Sequence, residues 1–255
     1  MEFRPPLFDA HLHIIDPAFP LVLNDGFRPA PFTVAAYRAR TAHLDVVGGA
    51  VVSGSFQAFD QRYLLDALRR LGPGFVGVTQ LPATVTDEEI LTLDAAGVRG
   101  VRFNLRRGGS ASAEHLDTLA RRVHGVAGWH SELYVDSRDL ADLAPLLTAL
   151  PAVSIDHLGL SRDGLPTLLD LAARGVPVKA TGFSRGDLDV PDALRRLAAA
   201  NPGALMVGTD LPSTRTTPFQ DADLDLVCHS VDSAALPAIF SGNARALYRL
   251  EERAR

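Results

Sequence analysis

Eight short apolar runs, near residues 7–14, 47–53, 74–80, 98–104, 131–135, 152–157, 176–181 and 204–209, alternate along this chain with stretches of helical apolar period. The helical stretches are Val34–Leu44, Tyr63–Leu71, Asp87–Ala96, Ala113–Val126, Ser137–Leu150, Leu165–Arg174 and Pro191–Ala200. A strand that is followed by a helix brings the next strand back parallel to the first, and eight such units are the number that closes a barrel. The expectation is an α/β protein, a single (β/α)8 TIM barrel spanning residues 1–255. Local signals agree: Thr86 or Asp87 caps a helix carrying Glu88 and Glu89 in its first turn, Pro191 suits a helix start, and Gly97 and Gly175 stop helices before the next strands.

Composition narrows the partners. At 255 residues with 47% hydrophobic and 22% charged, the chain can bury one sizeable core, and its net charge of -5 argues against a nucleic-acid surface. A lone Cys228 excludes an intramolecular disulfide, and neither a leader nor an apolar run of membrane length is evident. The cytoplasm is the expected location, with no membrane partner. The one long connection, residues 16–33, is rich in proline and aromatics, so it reads either as a lid over the barrel mouth or as a plain surface loop.

The polar residues that end apolar runs carry the chemistry. A strand's two-residue period aims Asp9, His11 and His13 at one face, and His157 and Asp210 close later runs. In parallel barrels reactive groups sit at the carboxyl ends of strands, where Arg102, Asn104 and Tyr134 also fall. Any one of these is adequately explained as a capping group, but the cluster reads as an active site. Arg102 within a strand requires an anion or an acidic neighbour such as Glu132, and Arg106 and Arg107 follow on the same loop, an edge suited to a small anionic, carboxylate-bearing substrate. Trp129, Phe183 and Phe32 are candidates for an apolar wall. Lys179, the only lysine, invites a Schiff-base reading that leaves the histidines unexplained.

Five segments in order resemble the amidohydrolase superfamily, in its amidohydrolase-related branch, which contains lactonases of a pyrone dicarboxylate. They are His11-Leu12-His13, Arg102-Phe103-Asn104, Asp156-His157-Leu158-Gly159, Gly208-Thr209-Asp210-Leu211-Pro212 and the closing Gly242-Asn243-Ala244-Arg245-Ala246-Leu247-Tyr248. The resemblance implies a hydrolase that adds water to the carbonyl of a small carboxylate-bearing lactone or related ester. Asp210 would be the general base, His11, His13 and His157 would act on the carbonyl, and Tyr134 and Arg185 would complete the arginine grip. It departs from the branch where Leu160 stands three residues beyond the strand-six histidine, with Arg162 nearby. The wider superfamily's bridging lysine is absent from strand four, and His130 falls at the start of strand five, at the other end of the barrel. The cofactor expectation is therefore none, or one divalent metal, zinc foremost, held by His11, His13 and Asp210 with His157 as a fourth ligand. The alternatives are a single-metal decarboxylase of an aromatic or muconic acid and a non-catalytic barrel that binds an organic acid.

Overall fold

Each of the eight apolar runs forms a strand: β1 (Leu7–Leu12), β2 (Val46–Val52), β3 (Phe75–Thr79), β4 (Val98–Asn104), β5 (His130–Tyr134), β6 (Val153–Ile155), β7 (Val178–Ala180) and β8 (Leu205–Val207). The structure, a computed structural model, describes residues 4–250. Neighbouring strands pair in parallel in the order β1 to β8, the nearly closed sheet of a (β/α)8 barrel. The helices between them are α1 (Val34–Thr41), α2 (Arg62–Leu71), α3 (Asp87–Ala95), α4 (Leu116–Ala127), α5 (Leu140–Ala149), α6 (Leu165–Ala173) and α7 (Val190–Ala200), followed by α8 (Asp221–Ser230) and α9 (Asn243–Leu247). Thr86 caps α3 in a reciprocal box with Glu89, and Gly97 (φ 101°) and Gly175 (φ 93°) adopt the positive φ expected just past a helix end.

Two apolar layers hold the barrel. Outward residues such as Val51, Val101, Phe103, Leu133 and Ile155 pack with the helices, while Phe8, Ala10, Ala50, Val52, Val76, Val78 and Met206 fill the lumen with Tyr248 and Ala244 beside them. This leaves the polar side chains of the lumen concentrated toward the strand ends and over β4 to β7.

The expectation that Asp9, His11 and His13 share a face is wrong. Three residues of β1 advance while two of β2 do, from Asp9 opposite Gly49 to Leu12 opposite Val51, so a bulge inserts one residue and reverses the alternation beyond it. Asp9 therefore points away from the lumen. Its carboxylate accepts hydrogen bonds from Thr209 N (2.8 Å), Thr209 Oγ1 (2.7 Å) and the Tyr37 hydroxyl of α1 (3.0 Å). That is a clamp across the β1–β8 seam, which is completed by Asp210 N donating to His11 O (2.7 Å) and His13 N to Leu211 O (2.8 Å). Gly208 permits this approach, since a Cβ there would lie 2.6 Å from His11 N.

Three strands are shorter than their apolar runs suggest, because Asp156, Thr181 and Thr209 are buried in loops that leave the sheet rather than in strands. The helix α8 falls where no apolar period was recognised. Its signal was the acidic first turn, Asp221 and Asp223, after Gln220.

Candidate active site

His11 and His13 follow the bulge, and His157 and Asp210 sit on tight turns after β6 and β8 with φ of 52° and 56°. Left-handed backbone at non-glycine residues costs about 1–3 kcal/mol each and concentrates at functional sites. Here it turns both side chains back over the lumen. The rings of His11 and His13 lie 5.0 Å apart, and those of His11 and His157 4.8 Å apart. Asp210 Oδ1 is 3.9 Å from His11 Nε2 and 3.6 Å from His13 Nε2. The strand ends thus bring all four residues together.

Hydrogen bonds define what each presents. His13 Nδ1 donates to the Val52 carbonyl (2.7 Å), which turns Nε2 toward Asp210. Asp210 Oδ2 is gripped by Arg185 through Nε (2.7 Å) and Nη2 (2.6 Å), while Oδ1 and His11 Nε2 are buried with no hydrogen-bond partner. Burial alone would raise the Asp210 carboxyl; the Arg185 charge, with His157, more than offsets it and holds the group far below the usual carboxylate range.

His157 Nδ1 meets Thr181 Oγ1 at 2.8 Å, and burial, with the Arg185 charge against it, pushes the ring down to about 3. The unfolded ring titrates at the ordinary 6.5, so below that pH the unfolded chain gains a proton that the native state refuses until about 3. Stability from this group is full above pH 6.5 and is lost as pH falls. Between pH 7 and pH 5 the wild type should lose about 2 kcal/mol more than His157→Gln in urea unfolding; equal pH slopes would refute this.

The arginines divide. Arg102 faces the lumen as expected but is engaged there: its Nη2 lies 2.8 Å from Asp156 Oδ2 and its Nη1 donates to Ser53 O (2.7 Å), whereas Glu132, the acid expected to pair with it, is 3.7 Å away. Glu132 instead pairs with Lys179. The mouth of the barrel holds a small cavity whose lining includes His13, Asn104, Tyr134, His157 and four arginines, Arg102, Arg107, Arg185 and Arg215. Arg106, in the turn after β4, is exposed and outside this lining. Trp129, Phe183 and Phe32 do not line it either. Trp129 is buried with its indole donating to Asp94, and the aromatic rings in the lining are Phe56 and Tyr134. Arg162 is drawn away to Asp187. Sequence reasoning missed Arg215, which lies on a loop without periodicity, and Asp156, whose place beside His157 was its only signal.

Two trios of potential ligands are buried: His11 with His157 and Asp210, and His11 with Glu132 and Asp156. The second already holds Lys179 and Arg102 as counter-charges. The first, with His13 beside it, presents partnerless atoms. Zinc ligands at about 2.1 Å in tetrahedral array stand about 3.4 Å apart, close to the 3.6 Å between His13 Nε2 and Asp210 Oδ1. His11, His157 and Asp210 could hold one divalent ion, with His13 reaching Asp210 but not the whole trio.

The amidohydrolase family profile matches residues 8–250. The chain belongs to the amidohydrolase family. This amidohydrolase is 27% identical to a 2-pyrone-4,6-dicarboxylate hydrolase of Comamonas testosteroni, over 98% of its own length and 93% of that protein's. It is 28% identical to a 4-sulfomuconolactone hydrolase of Rhizobium radiobacter, over 80% and 75%. A solved apo structure from Agrobacterium tumefaciens superposes with a TM-score of 0.86 at 26% identity, covering 98% of this chain and 97% of that one. The amidohydrolase is accordingly a hydrolytic enzyme, and no helix among its described residues is long and apolar enough to cross a membrane.

Proposed function

We propose that the protein opens a small carboxylate-bearing lactone by adding water to its carbonyl. The observation that carries this reading is the buried Asp210 Oδ1, which has no hydrogen-bond partner and stands 3.9 Å from His11 Nε2 and 3.6 Å from Nε2 of His13, a residue that lines the arginine-rich cavity. Asp210 Oδ1 takes a proton from the attacking water as the water oxygen bonds to the carbonyl carbon. His157, steadied by Thr181, sits on the same side as Asp210 and positions the lactone carbonyl. When the ring C–O bond breaks, the departing oxygen takes the proton back from Asp210, giving a hydroxy acid or its keto tautomer. Arg185 and Tyr134 hold the substrate carboxylate. Arg185 weakens Asp210 as a base in the free protein, and a substrate carboxylate that takes up the guanidinium relaxes this hold when a water is to be deprotonated. A divalent ion on His11, His157 and Asp210 would acidify the water and polarise the carbonyl when bound.

The test is a panel of pyrone, muconolactone and sugar lactones, followed by ultraviolet loss of the lactone, before and after treatment with a chelator. Carboxylated lactones should exceed neutral sugar lactones by about 10³ in kcat/KM, the scale of a charge pair that is used in the transition state. Carbon dioxide release from an aromatic or muconic acid, wholly dependent on zinc or manganese, would move the reaction to decarboxylation. Tight binding of organic acids without turnover of any would leave a binding barrel.

A further inference from the structure

Among the described residues the His157 ring makes one hydrogen bond, from Nδ1 to Thr181 Oγ1 at 2.8 Å. Thr181 stands just past the end of β7; both residues are buried, and the ring lines the cavity. Gly182 makes room for this approach, since at its φ of 58° a Cβ would stand 2.9 Å from His157 Nδ1 and 2.7 Å from Arg185 Cδ. The imidazole is flanked by the rings of His11 at 4.8 Å and Tyr134 at 5.0 Å.

A hydroxyl can donate or accept, so its other bonds decide which it does. Thr181 Oγ1 has none: among the described residues its partner is His157 Nδ1 alone. A buried O–H that fails to donate bears its full desolvation cost, and Nδ1 is the one acceptor in reach. The hydroxyl therefore donates, Nδ1 carries no proton, and the ring proton is on Nε2. His13 is the opposite case. Its Nδ1 faces the Val52 carbonyl, which can only accept, so there Nδ1 is a protonated nitrogen.

We propose that Thr181 is a positioning residue that fixes His157 as the Nε2–H tautomer, a hydrogen-bond donor to the lactone carbonyl oxygen. The proton stays on Nε2 throughout, and its bond strengthens as that oxygen gains negative charge on addition of water. This rests on the lactone reading for the identity of the acceptor and deepens it by naming the proton that is donated. Ligation of a cation through Nε2 would need the reverse arrangement, with the Thr181 proton left without an acceptor.

The experiment is nitrogen-15 NMR of the histidine rings in the protein as purified, without substrate, where coupling to the ring protons separates a protonated nitrogen from a bare one. His157→Gln identifies the signal among the eight histidines. The native ring should carry its proton on Nε2 and none on Nδ1, and Thr181→Ser should match it. Loss of an oxyanion donor outright costs roughly 10²–10³-fold in kcat, so Thr181→Val, which frees the ring but leaves it in place, should lower kcat about tenfold with KM within about twofold. Thr181→Ser should stay within about threefold of native kcat, because it keeps the O–H. A proton on Nδ1 of the native ring would overturn the assignment, as would native kcat in folded Thr181→Val or a serine variant as impaired as the valine one. If the valine variant does not fold, the native spectrum decides alone. Since that spectrum needs no turnover, failure of lactone hydrolysis leaves the tautomer standing, and a proton on Nδ1 leaves hydrolysis standing.

Discussion

Asp210→Asn should reduce turnover by about 10³-fold while binding of an anionic ligand is kept or tightened. General acid–base groups contribute roughly 10²–10⁴-fold to rate, and Asp210 Oδ1 is a buried carboxylate oxygen without a hydrogen-bond partner, 3.6 Å from the cavity-lining His13. The binding half of the prediction follows from charge. In the native protein Asp210 occupies Arg185 through a short hydrogen bond from Nε and an ion-pair contact with Nη2, and adds a negative charge beside the place where a substrate carboxylate would sit. The amide removes that charge and leaves Arg185 more fully available, so KM should fall or stay level as kcat collapses. A parallel loss of binding and turnover would mean that Asp210 shapes the pocket rather than moving a proton. Single-turnover kinetics with titration of a non-reacting dicarboxylate separates these outcomes. Arg102→Met would not serve as the matching binding variant, because Arg102 is bound to Asp156 and Ser53 and its loss would unbalance buried charge.

The barrel was legible because each strand carries its own apolar run and each helix its own period, local signals that the closed sheet merely assembles. The inward turn of His11, His13, His157 and Asp210 was legible too, since strand ends in a parallel barrel converge whatever their separation in sequence. What local pattern hides is anything decided by a register shift or a loop. The bulge in β1 exchanges faces between Asp9 and His11, so a reading with strict period two put Asp9 in the site instead of on the seam. Arg215 owes its place to Asn24 and Phe27, nearly two hundred residues earlier, and no window of sequence contains that pairing. Arg102 was placed correctly with Glu132, its opposite in register, as an acidic neighbour at 3.7 Å, but the closer partner is Asp156 at 2.8 Å, a choice that depends on side-chain reach across the lumen.

Lys179→Met should cost about 3–5 kcal/mol of stability, measured by urea unfolding, the amount associated with leaving one partner of a buried pair uncompensated. Lys179 and Glu132 are both fully buried; the ammonium hydrogen-bonds Glu132, lies 3.7 Å from Asp156 Oδ1 and 3.4 Å from His11 Nδ1, and faces the Tyr248 ring at 5.8 Å. Arg102 and Lys179 together balance Asp156 and Glu132, so the middle of the barrel is neutral only while all four are present. Removing the lysine leaves Glu132 with cations and imidazoles no nearer than 3.6 Å, beyond hydrogen-bond reach. The pair variant Lys179→Met with Glu132→Leu should recover much of the loss, since well-packed apolar residues often replace a buried ion pair without cost. Failure to recover would mean that the pair also orients His11, which borders it. The same cage disposes of the Schiff-base reading in a measurable way: an ammonium enclosed by two carboxylates and an aromatic ring cannot present its lone pair to a carbonyl in the cavity, so borohydride with a carbonyl compound should leave the native protein unlabelled at Lys179.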